Sequence, residues 1–238
     1  MLAKLPVPKS SLYLIYKNSV NKIALDNIQQ EDLYSIGMWN KIPNDKIIEK
    51  TKKALEKNGI SVFVTNTEEQ AKRKALDLIP KGSEVITMSS VTLDTLGISK
   101  EINESGRFNS VKNKLMLLDR NTQKKEMNRL GAAPEFAIGS VHAVTEDGHV
   151  IIASNTGSQL PAYVYAAGKV IWVAGAQKIV RDTDEGIKRI YEHTFPLEDK
   201  RMQKAYGFHS FVSKLLIINR EIVPERIILI FVKKSIGF

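Results

Sequence analysis

Cysteine is absent from all 238 residues. That single absence removes disulfide staples, thiolate zinc sites, four-cysteine iron–sulfur ligation and a cysteine nucleophile, and it fits a reducing compartment. Long apolar runs are missing as well. No stretch approaches the roughly 18–20 residues of a membrane span. Near the N-terminus, Leu12-Tyr13-Leu14-Ile15-Tyr16 is too short for a signal-peptide core, and Pro6 and Pro8 interrupt its approach. The reading is a cytoplasmic chain. Nucleotide fingerprints are lacking too: there is no G-x-G-x-x-G, and Gly168-Lys169 has neither the upstream glycine nor the following Ser or Thr of a phosphate-binding loop. No Gly/Ser-rich linker interrupts the chain after residue 40, so one compact domain is expected there.

What is present is ordinary in bulk. Apolar residues make up 43% and charged residues 26%, as in soluble globular proteins. The net charge is +9, spread as lysines alternating with glutamates along presumed helix faces. No arginine-rich tract with interleaved aromatics offers a nucleic-acid grip, so the field favours a small anion such as a carboxylate or phosphate.

Residues 1–37 show no clean period and stand apart as an N-terminal extension, either an upstream addition with Met38 as the native start or a docking arm. The patterned domain is 38–238. Asn44 caps a helix carrying Ile47, Ile48, Thr51, Ala54 and Leu55, which stops at Asn58-Gly59. A strand at 60–65 follows. Thr67-Glu68-Glu69-Gln70 is a capping box that opens a helix ended by Pro80, and a strand at 84–88 comes next. Strand–helix–strand at this spacing predicts a right-handed parallel unit with ligands near the strand carboxyl ends. Residues 98–107 and 114–130 read as surface helices, the second long and stopped by Gly131. Lys169–Ala174 reads as the most hydrophobic central strand. Asp182 caps a helix with Ile187, Ile190 and Tyr191 inward and His193 as a packing histidine, and Pro196 breaks the pattern. Residues 214–219 and 226–232 read as the final strands.

The densest chemistry lies between Gly139 and Ser158. Asp147-Gly148 turns the chain between strands at 143–145 and 149–153, and Asn155-Thr156-Gly157-Ser158 forms a loop of donors beyond them. Gly139, Ser140, Asn155, Gly157 and Ser158 suit an anion cradle of neutral donors and backbone amides. Ser89, Ser90 and Thr92 bring hydroxyls to the end of the 84–88 strand, and Lys178 sits at the end of the 169–174 strand, where it can pair with an anion. Glu146 is the candidate catalytic base or nucleophile; its alternative is a solvent-facing hairpin residue. His142, Glu146 and His149 have suggestive spacing, but side chains across a turn need not converge, so no metal is assigned. No cofactor is named by any motif.

The runs Gly139–Gly148, Asn155–Ser158, Val170–Val180 and Pro196–Gly207 together resemble the lactate-utilisation (LUD, LutC-like) domain family, from about residue 38 to the end of the chain. The resemblance implies an α/β fold, a layered and largely parallel sheet of the ribose-phosphate isomerase/CoA-transferase type. It also implies a role in oxidation of L-lactate to pyruvate beside iron–sulfur partner subunits, since this chain has no cysteine to carry electrons. Glu146 before Asp147-Gly148 is loosely similar to the attacking glutamate of the CoA-transferases. Two other readings stay open: a free-standing enzyme acting on a sugar phosphate or acyl thioester, and a non-catalytic subunit that binds a metabolite.

Overall fold

The structure, a computed structural model, describes residues 38–238; the expected division at residue 37 therefore concerns a segment outside the described residues. Its first long helix, α1 (Asp45–Lys57), starts where the Asn44 side chain accepts the Ile47 N–H at 3.0 Å. It ends where Asn58 closes the last turn and Gly59 takes a left-handed φ of 81°. After β1 (Ser61–Thr65), both halves of the Thr67–Gln70 capping box form and launch α2 (Glu68–Asp77). The chain continues through β2 (Glu84–Thr87), α3 (Val91–Thr95), α4 (Ile98–Glu104), β3 (Asn109–Ser110), α5 (Val111–Met116) and α6 (Lys124–Ala132). Strands β4 (Phe136–Gly139), β5 (Ala143–Thr145) and β6 (Val150–Ser154) follow, then a π-helical turn at Ala162–Ala166 and β7 (Lys169–Gly175). The remainder is a 3-10 turn (Ala176–Lys178), β8 (Ile179–Val180), α7 (Thr183–Arg189), a π-helical turn (Ile190–Thr194), α8 (Phe195–Tyr206), β9 (Lys214–Ile218) and β10 (Ile227–Val232).

Six strands form one all-parallel sheet in the order β1-β10-β7-β4-β2-β3. Four more form a smaller mixed sheet, β8-β5-β6-β9. The layered, largely parallel α/β architecture is as expected; the second sheet was not foreseen. Strand β7 shows how the layers arise. Its side chains alternate, Val170, Trp172 and Ala174 packing with Val144, Val150 and Ile152 of the small sheet. Ile171 and Val173 face the opposite way, onto Ala71, Ala75, Leu93, Ile98 and Ile102 of the helices. The far side of the small sheet is covered by Ile190 against Ala143, Ile151 and Val180. Being buried on both faces, β7 needs a continuous apolar run, which is why it stood out in the sequence.

Several expectations need correction. Strands β1 and β2 are parallel members of one sheet but not neighbours, because β10, β7 and β4 lie between them. The long helix expected at 114–130 is two helices. Asp119 breaks it by accepting from the Asn121 N–H and the Thr122 hydroxyl, a local turn that competes with helix. Gly131 lies inside α6 rather than ending it. Pro196 does not break the last helical run; it occupies the first turn of α8, where its missing N–H costs nothing. The inward face after Asp182 carries Gly186, Arg189, Ile190 and His193, while Tyr191 is exposed.

Candidate functional site

The two sheets are joined by a switch that the chain makes twice. From β4 it passes through Ser140-Val141-His142 into β5, and from β7 through Ala176-Gln177-Lys178 into β8. Strands β4 and β7 are neighbours in the large sheet, and β5 and β8 are neighbours in the small one. The two crossover segments therefore lie side by side at the carboxyl edge of the parallel sheet, where open α/β sheets bind their ligands. The first turn of α3, beyond the end of β2, adds Thr92.

Lys178 is the centre of what meets there. It is 2% exposed, and its Nζ donates to Val141 O at 3.0 Å, Ser140 Oγ at 3.2 Å and Thr92 Oγ1 at 3.3 Å. All three partners are neutral. Three acceptors suit an ammonium, and a neutral amine is equally served by donating two N–H groups and accepting the Ser140 hydroxyl proton. Burial, and then the charge of Arg189, push the Lys178 amine well below its ordinary value.

Arg189, with no exposed surface, reaches the same segment from α7. Its Nη1 donates to His142 O at 2.6 Å and to the Thr194 hydroxyl at 3.0 Å, while Nε and Nη2 are buried without any partner. Burial lowers its pKa to about 10, so it remains a cation at neutral pH. Among the described residues no carboxylate pairs with Lys178 or Arg189. Two histidines border the pair. His142 Nδ1 accepts the Ala153 N–H at 3.1 Å, which leaves the ring proton on Nε2. The Nε2 of His193 is buried and unpartnered. Burial first, and then the charge of Arg189, hold His193 at about 4, so it is neutral at physiological pH.

A pH dependence follows. The folded-state value of His193 lies below the ordinary 6.5, so on acidification the unfolded chain takes up a proton that the native state refuses. Stability should be undiminished above pH 6.5 and fall by about 1.4 kcal/mol per pH unit between 6.5 and 4. Urea titrations at pH 7 and pH 5 should differ by about 2 kcal/mol more in the native protein than in His193→Gln. Equal differences would show that His193 is not held neutral by the fold.

The predicted residues divide into groups. Thr92, Ser140 and Lys178 converge in one hydrogen-bonded cluster. Gly139 lies beneath it as a close approach: a Cβ there would stand 1.8 Å from the Tyr163 hydroxyl. Ser90 caps α3 by accepting the Leu93 N–H, and Ser89 beside it is exposed. Asn155, Gly157 and Ser158 form a loop after β6, tied to Ser213, Lys214, Ser154 and Thr156. Glu146 stands at the β5–β6 hairpin, its carboxylate 2.7 Å from Lys50 Nζ. Four residues of extended chain separate it from His142, on the order of 13 Å.

Arg189 escaped the sequence reading. Its signal was the spacing Gly186, Arg189, Ile190, His193, one helical face whose glycine lets α7 approach Ile151. The cluster is closed over by the segment carrying Ile236 and Gly237, whose carbonyls accept from Gln177 Nε2 at 3.0 and 3.1 Å. Thr92 Oγ1 makes a longer contact, 3.5 Å, to Ile236 O.

Fold and site thus define an α/β protein with a buried cluster of basic and hydroxyl side chains at the carboxyl edge of a parallel sheet. Residues 48–232 match the model of the LUD domain, and the chain belongs to that family. Membership supports a lactate-utilisation-related protein. The crystal structure of a DUF162 family protein from Deinococcus radiodurans is similar over 81% of this chain and 99% of its own, at 12% identity and a TM-score of 0.49. The eIF2B beta structure from Chaetomium thermophilum aligns with 50% of this chain and 44% of its own, at 14% identity and a TM-score of 0.33. For eIF2B delta from the same organism the figures are 74%, 65%, 16% and 0.32. No curated protein matches. No described helix is long and apolar enough to cross a membrane.

Proposed function

We propose that this protein is a cytoplasmic, lactate-utilisation-related component that binds a small carboxylate or phosphate at the carboxyl edge of its parallel sheet. Redox chemistry would fall to iron–sulfur partner subunits, because this chain has no cysteine to hold a cluster. One observation carries the ligand class: a fully buried guanidinium with two unpaired nitrogens, beside a buried lysine whose partners are all neutral. An unsatisfied buried donor costs about 1–3 kcal/mol, more when charged, and a fold tolerates that where a bound anion completes the bonding. Arginine's planar fork matches a carboxylate or phosphate bidentately.

Within this reading Arg189 supplies the charge, and Thr92, Ser140 and Lys178 supply directional donors. Glu146, held by Lys50, positions the hairpin rather than reacting. Thermal unfolding of the full chain in acetate, lactate, phosphate and chloride tests it. An anion at about a hundred times its dissociation constant should stabilise by roughly 2.7 kcal/mol, a shift of several degrees. Arg189→Lys keeps the charge but loses the fork, and should lose most of that shift. Equal shifts in both proteins would place the anion elsewhere.

A further inference from the structure

Strand β9 ends the small sheet, pairs only with β6, and leaves its outer side open. We infer that this edge docks an extended acidic segment of a partner protein, which adds to the four-stranded sheet as a further strand. The inference does not depend on the anion site.

The hydrogen bonding shows which backbone groups are free. Ile151 O accepts the His142 N–H and His149 O accepts the Thr145 N–H, so residues 149 and 151 direct their backbone groups toward β5. In an antiparallel sheet this direction alternates, which turns Val150, Ile152 and Ser154 toward β9. Their register partners there are Ile218, Leu216 and Lys214. The N–H and C=O groups of Leu215 and Ile217 therefore point away from the sheet, and among the described residues no group bonds to them. Their side chains are open as well. They stand opposite Ala153 and Ile151, on the face that Ile190 and Val212 cover, yet they lie past that cover at 39% and 38% exposure. Natural sheets protect such an edge with charge, proline or a bulge; Leu215-Leu216-Ile217-Ile218 has no charge or proline, and its register is unbroken. The apolar surface also extends beyond the strand. Among the described residues, seven of the fourteen large apolar side chains left exposed fall between Tyr206 and Val223, Phe208 and Phe211 among them. Such a concentration marks an interaction surface.

Charge selects the occupant. From Lys200 to Arg220 the chain has five lysines and arginines and no aspartate or glutamate. Arg201 is paired with Glu198, but Lys214 and Arg220, which bracket β9, have no carboxylate partner among the described residues. A second copy pairing antiparallel through β9 would bring these cations together with no carboxylate between them. A partner strand that alternates apolar and acidic residues fits instead. Its backbone completes the ladder, and its apolar side chains cover Leu215 and Ile217. Its carboxylates fall on the other face, which Lys214 shares with Leu216 and Ile218.

Amide hydrogen exchange of the full chain, read by NMR, is the experiment. The probe is a capped peptide of about nine residues alternating valine and glutamate, and the control has lysine in place of glutamate. Without peptide, the Leu215 and Ile217 amides should exchange at least about tenfold faster than those of Leu216 and Ile218. The glutamate peptide should slow them about tenfold or more, and the lysine peptide should leave them unchanged. Lys214→Glu combined with Arg220→Glu, both at exposed positions, should reverse the preference between the two peptides. If that variant does not fold, the two peptides on the native chain decide by themselves. Protection of neither amide, equal protection by both peptides, or a preference unmoved by the charge reversal would overturn the inference. A single-stranded oligonucleotide that protected the same amides would assign the surface to nucleic acid instead. Were the chain alone to protect them as its concentration rises, the occupant would be a second copy and the acidic partner would be wrong.

Discussion

Lys178→Met should make the protein more stable at pH 7, by about 1–3 kcal/mol. The sign comes from proton linkage. In the folded chain the amine sits well below its ordinary value, through burial and the neighbouring Arg189. The unfolded chain therefore holds that proton more tightly than the native state does. Native stability should therefore rise with pH, from the lowered folded value up to about 10.4, by as much as about 1.4 kcal/mol per unit. Methionine has no proton to lose and fills a similar volume, so the variant's advantage should be largest at neutral pH and fade toward pH 10. Leaving Val141 O without its donor takes back about 1 kcal/mol. Denaturant titrations of both proteins between pH 7 and 9.5 read this directly. A variant several kcal/mol less stable at every pH would mean that Lys178 is a charged structural residue whose bonds to Val141, Ser140 and Thr92 hold the site together.

Trp172→Ala should cost about 3–5 kcal/mol, a large share of the 5–15 kcal/mol that holds such a domain together. Trp172 is fully buried in β7, in register with Leu229 on one side and Gly139 on the other. Its ring meets Tyr163 edge to face, with centroids 5.5 Å apart. The indole also separates the two sheets. Its loss leaves a cavity beneath Gly139, and the Tyr163 ring, whose hydroxyl closes on that glycine, loses its support. Ligand response should weaken along with stability, because Ser140 follows Gly139 directly. The urea midpoint should fall with the slope unchanged. A change under about 1 kcal/mol would contradict the packing described here.

Much of the fold was legible in the sequence because its signals are local. The Asn44 cap, the Thr67–Gln70 box, the Asp147-Gly148 hairpin and the apolar run of β7 each act within a few residues. What was not legible depends on distant partners. Nothing near Ile60 or Val85 says that three strands from later in the chain intervene between β1 and β2. The second sheet escaped for the same reason: β8 is two residues long, and pairing with β5 is what makes it a strand. Pro196 was over-read, since a proline is harmless in a first helical turn and only the structure shows where that turn begins.

The site was legible by composition at three points. Thr92, Ser140 and Lys178 were chosen because polar residues at the ends of buried strands tend to meet, and they do. Asn155, Gly157 and Ser158 have the same composition and bond instead with β9 and their own loop. Residue type cannot separate the two outcomes, since both loops follow apolar strands. Arg189 was overlooked because a basic residue near the end of a helix has a ready surface explanation, complementing the helix dipole.

The central claim is that buried, carboxylate-free Arg189 and Lys178 await a small anion. Calorimetric titration of the full chain with phosphate and with pyruvate, in native protein and in Arg189→Lys, tests it most directly. The account predicts saturable binding of at least one of the two at one site per chain, weakened about tenfold or more by the substitution. Heats indistinguishable from dilution for both anions, or an affinity untouched by Arg189→Lys, would contradict it.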